Sequence, residues 1–220
     1  MPTIVIQPDE SAALDTSISE TSPDTPTPSP ITLLLLADGG SSNKESIVIS
    51  FDVSVVPAGS TIDTATLRIS NISGPTGDHD YRCARLTQPW VEAEVTWNSY
   101  EFGNVWPGGA GAASDVDLTD AETGTVLNDE DLEFTITPLT QDALDDRSGF
   151  LDMLINTTDI SAAGGSYHSS SSGARSLRPR LTIEYTAAPP DGGGAPVKFR
   201  NHPIRRNADE NRGFDGQEIL

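Results

Sequence analysis

The chain has 220 residues, 35% of them hydrophobic, with 19 Gly, 16 Pro and a formal net charge of −20. That length holds one large domain or two small ones, and so many turn formers beside so few apolar residues argue against a helical bundle. Nucleic-acid binding needs clustered Lys and Arg, so an acidic chain points instead to solubility, cations or basic partners. The charge is uneven: residues 1–187 carry 8 basic and 28 acidic side chains, residues 188–220 five of each.

Along the chain, alternation of apolar and polar residues is the main signal, and it predicts strands. MPTIVIQPDESAALD has no basic segment, apolar run or cleavage site of a secretory signal. Synthesis in the cytoplasm is therefore expected, with exposure outside a cell by another route, such as a released virus particle. A strand is predicted at Thr3–Gln7, followed by a Pro/Ser/Thr-rich irregular loop, DTSISETSPDTPTPSP, over residues 15–30. The next strand, Ile31–Leu36, belongs to an aliphatic run far too short to span a bilayer. In ESIVISFDVSVV, Ile47, Ile49, Phe51, Val53 and Val55 share one face, with Ser50, Asp52 and Ser54 on the other. A turn at Pro57-Ala58-Gly59 and the alternating TATLRIS (Ala65, Leu67, Ile69) complete a hairpin-like pair with a longer loop.

Strands follow at Tyr81–Leu86, Leu132–Ile136, Phe150–Ile155 and Leu181–Tyr185. Tyr81–Leu86 contains Cys83, the only cysteine, which excludes an internal disulfide and reads as a buried thiol. One helix interrupts them: TPLTQDALDD has Thr137 as N-cap, Pro138 at the first helical position, and Leu139, Ala143 and Leu144 at helical spacing. It is short and is expected to plug one end of a β-sandwich, the architecture that eight or more strands imply. SYHSSSSG reads as a flexible loop, and AAPPDGGGAP at 187–196 as a linker that ends the domain. The remaining VKFRNHPIRRNADENRGFDGQEIL, 197–220, has too few apolar residues for a core of its own.

Three segments in order, FDVSVVPAGSTIDTATLRI at 51–69, RLTQPWVEAEVTWNSYEFGNVWPGGAG at 85–111 and RPRLTIEY at 178–185, resemble the DNRLRE domain family. The resemblance spans roughly residues 3–186. It implies a jelly-roll β-sandwich related to the carbohydrate-binding modules of some polysaccharide lyases, found in surface proteins and in bacteriophage structural proteins. Its implied role is adhesion or polysaccharide binding rather than catalysis. One departure stands out: family members often carry Ser followed by an acid shortly before the final Arg-Pro, whereas YHSSSSGARSLRPRL has no acid.

All three tryptophans fall in residues 90–106. Trp90 and Trp97, at the ends of WVEAEVTW, are expected to anchor the core between two sheets, since an indole combines large area with one donor. Trp106, on the glycine-rich GNVWPGGAG with Tyr100 and Phe102 nearby, is the candidate for stacking against a sugar, with local packing as the alternative. Asp115, Asp117 and Asp120 in SDVDLTD are loop oxygens that could surround a calcium ion, although no EF-hand pattern is present; a solvated acidic rim is the alternative. Glu92, Glu94 and Asp80 offer carboxylates but no spacing that selects a glycosidase pair, and His79 between two aspartates lacks zinc-ligand spacing.

In the tail, Lys198, Arg200, Arg205 and Arg206 alternate with Phe199 and Ile204, with Phe214 further on. This basic-apolar arm suits attachment: its apolar residues would enter neighbouring grooves while its cations meet acids there. The expectation is a non-enzymatic structural or decoration protein of a bacteriophage virion, with head decoration favoured over a tail position. Its partners would be other virion proteins or copies of itself, with no nucleic acid, membrane or cofactor, calcium being the one candidate ligand ion. The alternative is a carbohydrate-binding or adhesion module for a surface polysaccharide, extracellular in location.

Overall fold

The computed structural model describes residues 1–8, 13–27, 30–36, 43–74, 78–108, 111–126, 130–158 and 164–189. Residues Met1–Pro189 form one compact unit; Pro190–Leu220, including the whole predicted arm, lies outside the described residues.

Among the described residues, fourteen strands carry the fold. They are β1 (Thr3–Ile6), β2 (Ala13–Ser19), β3 (Thr32–Leu36), β4 (Glu45–Asp52), β5 (Thr61–Ile69), β6 (Asn71–Ser73) and β7 (His79–Leu86). After them come β8 (Ser99–Glu101), β9 (Asn104–Val105), β10 (Val116–Val126), β11 (Leu132–Thr135), β12 (Phe150–Thr157), β13 (Gly164–His168) and β14 (Arg180–Thr186). Among the described residues the one α-helix, α1, spans Thr137–Asp146.

A four-stranded antiparallel sheet has the order β1-β14-β5-β11. The larger sheet runs β10-β7-β12-β4-β3-β13-β6, and β2 pairs with β4 beside this path. Between the two sheets lies the main core. Leu67, Ile69, Phe134, Leu181 and Ile183 come from the small sheet, and Leu35, Ile47, Ile49, Phe51, Cys83, Met153 and Ile155 from the large one. The protein is an all-β sandwich, as the strand count predicts. Cys83 is buried, and burial raises the pKa of its thiol, so it stays protonated and inert.

Helix α1 contacts β5 of the small sheet and β12 and β10 of the large one, so it bridges both layers as expected. Its start differs by one position. Ile136 precedes the helix without a side-chain cap, and Thr137 turns its Oγ1 to accept the Ala65 backbone N–H at 3.0 Å. Tertiary satisfaction of a strand N–H has replaced the local cap.

Three expectations need correction. The segments around 47–55 and 61–69 are not a hairpin: β4 pairs with β12 and β2, while β5 pairs with β14 and β11. Strand β4 ends at Asp52, and the connection through Gly59 (φ 77) crosses from one sheet to the other. Val55 leaves the predicted face, 59% exposed, and Val56 is buried in its place. Next, the predicted irregular loop 15–30 begins as strand β2, in register with β4 from Ala13↔Phe51 to Ser19↔Glu45. Finally, SYHSSSSG is not a loose loop: Tyr167, Ser169, Ser170 and Ser172 are buried, with Tyr167 and His168 in β13.

Candidate functional site

The outer face of the large sheet would be polar in a simple two-layer sandwich. Here Val48, Leu86 and Leu154 project from that face into a second hydrophobic cluster with Ile18, Trp90, Val95, Trp97, Trp106 and Ala112. The chain between β7 and β10 thus folds over the sheet and is held there by its tryptophans. Trp90 and Trp97 are core anchors, 1% and 8% exposed, but of this second core and not of the space between the sheets.

Trp106 is equally buried, at 1%. Its indole N–H donates to the Thr96 carbonyl at 3.1 Å, and its ring packs against Tyr100 at 5.7 Å between centroids, tilted by 58°. A buried ring has no face to give a sugar, so the stacking expectation is overturned for Trp106. Gly111 (φ 81) makes the packing of Trp97 possible, because a Cβ there would lie 2.6 Å from Trp97 Nε1.

The β8–β9 hairpin is what this segment presents outward. Tyr100 is half-buried in the cluster, while Phe102 at the turn is 87% exposed and Val105 65%. Phe102 is held by its backbone, whose N–H donates to Glu94 Oε2 at 2.8 Å. Asn104 Nδ2 donates to Glu101 Oε1, which closes the tip. Of the three predicted contact residues, the structure leaves Phe102 alone fully available.

The three aspartates do not converge. Asp115, at the end of a 3₁₀ turn, is buried and accepts the Gly108 N–H at 2.9 Å. Asp117 pairs with Arg85, which also pairs with Asp142 of α1, and Arg147 Nε lies 3.2 Å from Asp142. Asp120 sits at φ 60 in a bulge where residues 118–121 of β10 leave the register with β7 between Asp117↔Arg85 and Glu122↔Cys83.

Burial would lower the pKa of Arg85, but the carboxylates of Asp142 and Asp117 outweigh it and hold the guanidinium charged. Hydrogen bonds from Thr119, then Arg85, hold the pKa of Asp117 below its ordinary value. Asp117 is thus paired with an arginine and not gathered with Asp115 and Asp120. Among the described residues, no three His, Cys, Asp or Glu come together to hold a metal ion. Arg85, Asp117, Thr119, Asp120, Leu139 and Asp142 line a depression of about 110 Å³, well under the ~300 Å³ at the lower end for small-molecule sites.

Sequence reasoning missed one constellation altogether. Asp15 is fully buried, and its carboxylate accepts both the N–H and the Oγ–H of Ser170, at 2.7 and 2.9 Å. Its own N–H donates to Glu92 Oε1 of the tryptophan segment at 3.4 Å. Arg178, also buried, donates from Nε to Ser172 O (2.8 Å) and from Nη1 to Pro8 O (3.1 Å). Burial pushes the Asp15 pKa up to about 7, with the charge of Glu92 adding to it and Ser170 and Arg178 opposing. The signal lay in the Asp within DTSISE and the serine run, but a contact between residues 155 apart has no local pattern.

Lys198, Phe199, Arg200, Ile204, Arg205, Arg206 and Phe214 lie outside the described residues. No helix among the described residues is long and apolar enough to cross a membrane. No family model matches the chain, and no curated protein matches it.

Proposed function

We propose that the chain is a non-enzymatic structural protein of a bacteriophage virion, in a head-decoration position, built as an acidic sandwich body with an attachment arm. The observation that carries this reading is the use made of the aromatic residues. All three tryptophans, including the stacking candidate Trp106, are spent on a second core, so the body is a packed block, while the chain continues past it with a basic-apolar segment. Lys198, Arg200, Arg205 and Arg206 fall in nine residues without an acid, against a body carrying 28 acidic side chains. Such a segment complements acidic neighbours, whether copies of this chain or other virion proteins.

Replacing those four cations with Gln tests the reading, with copies per purified particle as the measurement. The expected result is loss of most copies, together with an unchanged melting curve of the isolated protein. Normal incorporation would overturn the proposal. A second reading, recognition of a surface polysaccharide, is favoured by one observation, the exposed Phe102 on a hairpin tip beside Asn104 and Glu101. Without Trp106 it rests on Phe102 and the edge of Tyr100.

A further inference from the structure

Three parts of the chain that are distant in sequence meet at Asp15. Strand β2 contributes the aspartate, the turn after β13 contributes Ser170, and the tryptophan segment contributes Glu92, whose Oε1 receives the Asp15 N–H. A fourth, the segment leading into β14, contributes Arg178, which ties the serine turn to Pro8 through the carbonyls of Ser172 and Pro8. Among the described residues, the charges that bear on the carboxylate are Glu92 from the tryptophan segment and Arg178 from the approach to β14. From β4 its register neighbour is Ile49, flanked by Val48 and Ser50, and the acids of that strand, Glu45 and Asp52, stand at its two ends. His168, at the base of the serine turn, places Nδ1 3.1 Å from Ser172 Oγ.

Water does not reach this carboxylate, and a second carboxylate shares its surroundings. Ionising Asp15 in place therefore costs more than ionising it after β2 has separated. We propose that β2 is a proton-controlled strap: protonated Asp15, keeping the Ser170 N–H on one oxygen and giving its own proton to Ser170 Oγ from the other, ties the N-terminal strand to the serine turn, and ionisation loosens that junction.

The sign follows from linkage. The closed junction binds its proton up to about pH 7, whereas an opened β2 releases it near the ordinary value of 3.8. The strap is thus tightest below the lower value, weakens as pH rises between the two, and is weakest above the upper one. Glu92, whose own pKa is raised by burial, titrates in the same sense. The strap belongs to the body and does not depend on what the protein attaches to.

Hydrogen exchange of the full chain between pH 4.5 and 7.5, corrected for the intrinsic exchange rate, reads the strap directly. Peptides covering 13–19 and 166–172 are expected to lose at least tenfold in protection from pH 5 to pH 7, while β5 and β14 peptides hold theirs. In Asp15→Asn, which keeps an oxygen acceptor for Ser170 and carries no charge, protection of β2 is expected to stay high and level. A level profile for wild-type β2 overturns the proposal, and so does a wild-type slope that survives in Asp15→Asn. The wild-type profile decides alone if the variant does not fold.

Discussion

Trp106 gives its indole N–H to a backbone carbonyl from a site 1% exposed, and four residues earlier Phe102 stands 87% exposed at a turn. Both are aromatic residues of one short loop, and the difference between them is one of area. The large ring closes the cluster over Val48 and Leu154, while the smaller one is left where the hairpin reverses. Removing the first opens a cavity in a packed core, at a cost of about 3–5 kcal/mol, whereas removing the second changes stability by no more than about 0.5 kcal/mol. Urea unfolding of Trp106→Ala and Phe102→Ala checks both. The same Phe102→Ala protein, compared with wild type on a glycan array with and without Ca²⁺, decides the polysaccharide reading: equal binding, or none by either, removes it.

Among the elements, α1 and β10 depend on one residue. Arg85, on β7, pairs with Asp117 of β10 and Asp142 of α1, and Arg147 at the end of the helix joins by pairing with Asp142 and donating to the Leu86 carbonyl. The network fixes the helix against the large sheet beside the place where β10 bulges away from β7. Arg85→Met leaves Asp117 without a cation and Asp142 with Arg147 alone, for an expected loss of about 1.5–3 kcal/mol, read by urea unfolding. Because that cost comes from acids that have lost their shared cation, it is expected to shrink in the triple variant Arg85→Met, Asp117→Asn, Asp142→Asn. An unchanged loss would place the effect in packing instead.

The strands themselves were legible from alternation: β1, β3, β7, β11, β12 and β14 fall within two residues of their predicted bounds, while β5 begins three residues earlier than the alternating TATLRIS. What alternation conceals is a sheet buried on both faces. The apolar triplets Ile47-Val48-Ile49 and Met153-Leu154-Ile155 break the period of two, and β4 and β12 set Val48 opposite Leu154. Those triplets were the available sign that something covers the outer face, and with it the place of the tryptophans. Strand β2 was obscured for a different reason. On one face its buried residues, Asp15 and Ser17, are polar and are met by Ser170 and by the Leu34 N–H, so that face has no apolar signature. Partner choice was equally hidden, since a long turn such as 53–60 serves a hairpin or a crossing between sheets alike.

At the scale of the whole molecule, the chain divides at Pro189 into a compact acidic sandwich and a following stretch of different charge. A body with 28 acidic and 8 basic side chains before residue 188 repels copies of itself, and in the proposed function the cations of the arm supply the contact that an assembly needs. Ending the chain after Pro189 tests the proposed attachment role of the arm, because this leaves all of β14 in place. The measurement is the number of truncated copies carried by purified particles, with thermal unfolding of the free protein as the control. The expected result is a body that melts like the full chain and is nearly absent from the particle. A truncated body that melts normally and occupies the particle at full copy number would contradict it.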